Sequence, residues 1–105
     1  MIPVIIESPY KGDVDKNYTY LQECIRHSLS VGEAPFASHQ MYTGALDDAH
    51  SNERLLGIEA GFTWMRFASF VVFYTDHGMS EGMHCALDQA IREGKSVLFR
   101  RLRKE

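Results

Sequence analysis

Two short stretches of the 105-residue chain hold the residue types needed for chemistry on a small polar ligand. The first, Glu7-Ser8-Pro9-Tyr10-Lys11-Gly12, sets a carboxylate and a hydroxyl beside an aromatic ring able to stack on a base, a cation and a flexible turn. The second runs Thr75-Asp76-His77-Gly78-Met79-Ser80-Glu81-Gly82-Met83. In it Asp76 is a candidate base, and His77 is of the residue type that changes charge near neutrality. Ser80 stands where a helix begins, and Gly78 and Gly82 let a phosphate or a ribose approach main-chain N–H groups closely. Each feature has a plainer alternative: an ordinary turn for 8–12, a solvated loop histidine for His77, and an N-cap for Ser80.

These stretches need a scaffold, and the hydrophobic pattern supplies one. Val4, Ile5 and Ile6 form a continuous β-branched run, the pattern of a strand buried on both faces. Tyr18, Leu21, Ile25 and Leu29 recur at helical spacing, with Asp13 or Asp15 to cap the start and Gly32 to end a helix over about 14–31. A brief strand is expected within 34–39, followed by a loop with no clear period. Leu55, Ile58, Phe62 and Met65 restore a 3.6 period and predict a helix over about 51–66. Phe70 to Tyr74 reads as a second buried strand, 80–93 as a helix with Met83, Leu87, Ala90 and Ile91 on one face, and 96–99 as a last strand.

Alternating strands and helices with continuous strand runs predict an α/β fold: a single flavodoxin-like or Rossmann-like three-layer domain, its parallel sheet covered by helices on both faces. Right-handed crossovers make 2-1-3-4 the simplest order for four strands, with a switch point between the first and third. Ligands in such sheets bind outside the carboxyl ends of the strands at that point, where loops 7–13 and 75–82 should meet.

Composition narrows the function. A hydrophobic share of 45% with 24% charged residues is that of a globular chain, and the length suits one domain, expected over 1–99 with a basic tail at 100–105. The formal charge of −3 conceals an asymmetry, because residues 100–105 carry four of the eleven basic groups. Residues 1–99 hold seven basic and thirteen acidic groups, a body too acidic to grip duplex nucleic acid without regard to sequence. The longest apolar run falls far short of the roughly 20 residues a membrane span needs, and the N-terminus lacks the basic start of a signal peptide, so a cytoplasmic protein is expected. Cys24 and Cys85 form no CxxC motif, and neither Cys24 with His27 nor His84 with Cys85 amounts to a metal site. No metal or cofactor is expected. The acidic pair Asp47-Asp48 either binds a cation with a diphosphate or complements a helix dipole. Trp64, Phe62, Phe67 and Phe70 belong to the core or to a subunit interface.

Four segments, in order, carry a family likeness: Ser8-Pro9-Tyr10-Lys11-Gly12; Pro35-Phe36-Ala37-Ser38-His39 with Leu46-Asp47-Asp48; Glu53-Arg54-Leu55-Leu56-Gly57-Ile58; and Tyr74 through Met83. Together they resemble the nucleoside 2-deoxyribosyltransferase-like superfamily, in particular a small subgroup of phage and bacterial genomes. That resemblance implies a nucleoside- or nucleotide-type ligand held between the first-strand loop and the start of the last helix, in a homodimer or larger homo-oligomer. It matches Ser8 and Tyr10 to sugar contacts, Asp76 to a family aspartate, and Ser80, Gly82 and Met83 to a phosphate or ribose contact. His39 and Arg54 fall in motifs of the subgroup.

The resemblance also implies a glutamate nucleophile four residues after the helix-start glycine, and here that position is Ala86. A methyl group cannot attack an anomeric carbon. Two expectations follow. In one, the protein binds a nucleoside, nucleotide or ADP-ribose-like ligand without glycosyl transfer, as a phage protein sequestering a nucleotide immune signal would, in the host cytoplasm. In the other it is an N-glycosidase or deoxyribosyltransferase in which Asp76 or Glu7 serves as a non-standard catalytic carboxylate.

Overall fold

The computed structural model describes residues 1–47 and 49–103. Its elements are β1 (Ile2–Glu7), α1 (Val14–Ser30), β2 (Glu33–Phe36), α2 (Ser38–Thr43), α3 (Ser51–Met65), β3 (Phe70–Tyr74), α4 (Glu81–Arg92) and β4 (Ser96–Arg100). The four strands form one parallel sheet in the order β2-β1-β3-β4, the simplest order expected from the sequence. Val4 to Glu7 of β1 pair with Phe70 to Phe73 of β3, which sets their carboxyl ends side by side.

Both faces of the central strands are covered, and the strand residues divide between two cores. On the α1 side Val4, Ile6, Val72 and Tyr74 pack with Tyr20, Leu21 and Cys24. On the other side Ile5, Val71 and Phe73 pack with Met65 at the end of α3 and with Met83, Ala86 and Ala90 of α4. Period-2 alternation cannot appear in such strands, because neither face is wet. Asp13 caps α1 by accepting from the Lys16 N–H at 3.1 Å. Gly32, at φ +87°, turns the chain into β2 in a conformation that other residues rarely adopt.

Three expectations need correction. The loop foreseen after β2 contains α2, a six-residue helix held by tertiary contact: a Cβ at Gly61 of α3 would stand 2.8 Å from Ser38 Oγ, so the two helices meet through that glycine. The stripe foreseen for α3 is also displaced. Its buried side is Gly61 and Met65, while Leu55 and Ile58 are exposed.

The third concerns the C-terminus. Arg100 belongs to β4, and its guanidinium grips both carboxylate oxygens of Glu33 at 3.0 and 2.8 Å while donating to the Tyr74 hydroxyl at 2.9 Å. Ser28 Oγ donates to the same carboxylate at 2.6 Å, and His27 Nδ1 lies 3.0 Å from the Tyr74 oxygen. This network spans the α1 side from one edge strand to the other. The Arg100 bond, with the smaller help of Ser28, holds the Glu33 carboxyl below its ordinary range despite burial. Leu102 packs onto the α1-side core, so the chain stays docked beyond residue 99. Lys104 and Glu105 of the foreseen tail, and Asp48 of the acidic pair, lie outside the described residues.

Candidate functional site

The carboxyl end of β1 carries groups that the fold itself does not satisfy. Glu7 ends the strand beside Phe73, and strand alternation puts its side chain on the same side as Ile5. Among the described residues no hydrogen bond or ion pair reaches its carboxyl, and burial pushes its pKa up to about 8, so at neutral pH it is largely a protonated acid. Ser8 is buried, and its Oγ has no partner. The only other such atom among the described residues is Nδ1 of His39 in α2. Burial lowers the His39 pKa to about 4, which keeps the ring neutral. Leaving a buried polar atom unpaired costs about 1–3 kcal/mol, and these two lie in segments adjoining one cleft.

That cleft, of about 190 Å³, opens between the 8–13 loop, α1 and α2, with Pro9, Tyr10, Asn17, Tyr18, His39 and Gln40 on its walls. The Tyr10 and His39 rings meet edge to face at 6.3 Å. Asn17 shapes the loop by donating its side-chain N–H groups to the carbonyls of Tyr10 at 2.9 Å and Lys11 at 3.0 Å, while Gly12 turns the chain at φ +100°. Lys11 is exposed above the loop. The lining is aromatic and amide in character, suited to a planar heterocycle with polar edges.

The second stretch is organised differently. Asp76 accepts from the Tyr20 hydroxyl at 2.6 Å and from the backbone N–H groups of Leu102 and Arg103, each at 2.9 Å. Burial alone would raise its pKa, but these bonds prevail and hold the carboxyl down to about 2. Tyr20 also accepts from the Asp76 N–H at 3.0 Å, and the His77 ring lies 4.4 Å from the Tyr20 ring. Asp76 thus anchors the segment after β4 to α1, with its oxygens engaged.

Ser80 is the N-cap of α4: its Oγ accepts from the Met83 N–H at 3.2 Å. Met83 is buried in the core, Gly78 turns the loop at φ +81°, and Gly82 is exposed in the first turn. Ala86 is buried against the sheet with Ile5 and Phe73. Arg54 is exposed on α3, outside the cleft walls. The structure therefore gathers Pro9, Tyr10 and His39 in one cleft, and keeps Glu7, Ser8, Lys11, Gly12, Asp76, His77, Gly78, Ser80, Gly82, Met83 and Arg54 out of its lining.

Asn17, Tyr18 and Gln40 are cleft residues that sequence reasoning missed. Gln40 follows His39 in the segment read as a loop, and only its adjacency to that histidine offered a signal. Asn17 was open to reading as a helix-start amide behind a glycine turn.

Among the described residues no three His, Cys, Asp or Glu side chains come together to hold a metal ion, and no helix is long and apolar enough to cross a membrane. Both cysteines are free; burial raises the Cys24 thiol to about 12, and Cys85 is exposed.

Comparison with solved structures finds a 2-deoxyribosyltransferase from the psychrotolerant bacterium Bacillus psychrosaccharolyticus, described as a biocatalyst for the synthesis of antiviral and antitumoral nucleosides. The two superpose with a TM-score of 0.76 over 98% of this chain and 74% of that one, at 12% sequence identity. The fold is therefore that of the deoxyribosyltransferases, as the resemblance implied. No curated protein sequence matches the chain. A family model described as a domain of unknown function, DUF7768, matches residues 2–100, nearly the whole chain, and the protein belongs to that family.

Proposed function

We propose that the protein binds a nucleoside- or nucleotide-type small molecule at the carboxyl end of β1, with its base in the Tyr10–His39 cleft. The observation that carries this reading is the pair of unpartnered buried atoms, Ser8 Oγ and His39 Nδ1, in the two segments that meet at an aromatic cleft. A neutral imidazole and the Gln40 amide offer a base edge both donor and acceptor positions. Ser8 and Glu7 follow on the side of the β1–β3 switch point, where a sugar would continue out of the cleft. Lys11 and the α4 start, with Gly78 and Gly82 beside the Ser80 cap, serve phosphate or a second ribose at the rim.

The ligand is held without glycosyl transfer. Ala86 has only a methyl group and is packed into the sheet-side core, so the chain's own residue at that position supplies no nucleophile. Binding without turnover fits a sequestering role, with an ADP-ribose-like or other nucleotide signal as cargo.

One observation favours a second reading. A carboxyl whose pKa stands at about 8 is protonated at neutral pH and suits a general acid. In an N-glycosidase reaction Glu7 would give its proton to the leaving base nitrogen as the C–N bond breaks. Water would add its oxygen to the anomeric carbon and return a proton to Glu7. Asp76, with both oxygens engaged, is the weaker candidate for that work.

One experiment separates the readings. The purified protein is incubated with nucleosides, deoxynucleotides, NAD and linear or cyclic ADP-ribose; bound and free fractions are then separated, denatured and chromatographed. Recovery of an intact bound ligand, lost in His39→Phe, is the expected result. Free base released by the wild type and not by Glu7→Gln would establish the glycosidase reading, and retention of none of the panel would reject both.

A further inference from the structure

Most polar groups on the walls of the Tyr10–His39 cleft can turn to suit a ligand. The hydroxyls of Tyr10 and Tyr18 rotate, the Gln40 amide can flip, and the neutral His39 ring can carry its proton on either nitrogen. Asn17 has no such freedom. Its Nδ2 lies 2.9 Å from the Tyr10 carbonyl oxygen and 3.0 Å from that of Lys11, so both of its hydrogens are taken. A flipped amide would set oxygen against oxygen at both places. Oδ1 is therefore fixed as an acceptor, and no donor among the described residues reaches it. The two carbonyls each keep a second lone pair. Three acceptors are thus gathered where the 8–13 loop meets the first turn of α1, and none of them can become a donor.

We infer that the base taken into the cleft carries an exocyclic amino group, as adenine and cytosine do, and that Asn17 is the residue that selects it; the inference rests on the base-binding reading above. Stacking on Tyr10 holds any base alike, so the choice among bases falls to polar groups that cannot adapt. An amino group projects furthest from its edge of the ring and has two hydrogens, enough to bond Oδ1 and a loop carbonyl together. Uracil and hypoxanthine carry a keto oxygen at that place. Their ring N–H lies further in, beside that oxygen, so bringing it toward the three acceptors drives oxygen against Oδ1. The acceptors then lose their water and gain no proton in return, the kind of mismatch that discriminates most sharply.

The test is equilibrium dialysis of the whole chain against adenosine, purine riboside, inosine, cytidine and uridine, each also as its 5′-monophosphate. Adenosine and purine riboside differ by the amino group alone. In whichever ring size the cleft accepts, the amino-bearing member should bind about tenfold or more tightly than its amino-free or keto counterpart. Asn17→Ala also frees the loop, so it lowers affinity for every member, but the ratio between amino-bearing and amino-free members should fall to near one. A side chain that only holds the loop would lower both alike and keep the ratio, and that result overturns the role given to Asn17. Equal binding of the paired members by wild type overturns the inference while leaving the base in the cleft, and this comparison stands even where Asn17→Ala fails to fold. Retention of no member of the panel overturns the base-binding reading and the inference with it.

Discussion

Replacing Glu7 by Gln should make the protein more stable while weakening its ligand affinity. The carboxyl has no partner among the described residues, and burial raises its pKa from 4.5 to about 8. Between those values the folded chain holds a proton that the unfolded chain has released, so stability falls as pH rises through the window and is fully present only below 4.5. pH 7 lies 2.5 units above the unfolded carboxyl's pKa of 4.5, and at about 1.36 kcal/mol per unit the cost of keeping Glu7 protonated is about 3.4 kcal/mol. Glu7 is only half-buried, and partial screening by solvent brings the expected value nearer 2 kcal/mol.

Gln is isosteric and does not titrate, so Glu7→Gln should be more stable than wild type at pH 7 by about 2 kcal/mol and equal to it near pH 4. The assay is urea unfolding of both proteins at pH 4.5, 6, 7 and 8. The telling quantity is their difference, in which contributions common to both proteins cancel. Parallel stability profiles, or a variant less stable than wild type at pH 7, would refute the account of Glu7 as a desolvated carboxyl held for function. Gained stability with lost affinity is the signature of a residue retained at the expense of the fold.

Other outcomes follow from the same geometry. His39→Phe should lower ligand affinity at least tenfold in equilibrium dialysis. It should also abolish the loss of stability that this ring imposes on wild type as pH falls from 6.5 toward 4, where the buried neutral imidazole resists the proton that the unfolded chain takes up. Asp76→Asn keeps one acceptor but turns an NH₂ toward a backbone donor. It should destabilise the fold by about 1–3 kcal/mol and speed amide exchange at Leu102 and Arg103, with affinity nearly unchanged. Wild type should lose the Asp76 contribution only as pH falls below 3.8 toward 2. Arg100→Met leaves the buried Glu33 carboxylate without its guanidinium and should cost about 3–5 kcal/mol, measured by urea unfolding at pH 7.

How much of this was legible in the sequence depended on whether a signal was local. A parallel sheet covered on both faces could be read because Val4–Ile6 and Phe70–Tyr74 are apolar without alternation, and 2-1-3-4 followed only as the simplest order that right-handed crossovers allow. Helix starts could be read because Asp13 and Ser80 act within three residues of themselves. α2 escaped because nothing in Ser38–Thr43 has a period; its helix rests on Gly61, twenty-three positions beyond Ser38. The stripe on α3 failed for the same reason: glycines carry no hydrophobic signal, yet Gly61 forms part of the buried side, and Leu55 and Ile58 are left outside.

The site divided along the same line. Tyr10 and His39 are of the right types in the right segments, and the fold brings them to one cleft. Asp76 is of the right type too, and residue identity alone could not separate a free carboxylate from one committed to Tyr20, Leu102 and Arg103, fifty-six residues upstream and about two dozen downstream. The same long-range contacts turned a basic terminal run into part of the fold, since Arg100 finds Glu33 sixty-seven positions away. Glu7 lies at the opposite extreme: its carboxyl has no distant partner, burial alone sets its pKa, and the chain gains nothing in stability from keeping it. A half-buried acid with no structural partner among the described residues is the stronger pointer to chemistry, and that places the weight of the site on the β1 end and not on the Asp76 loop.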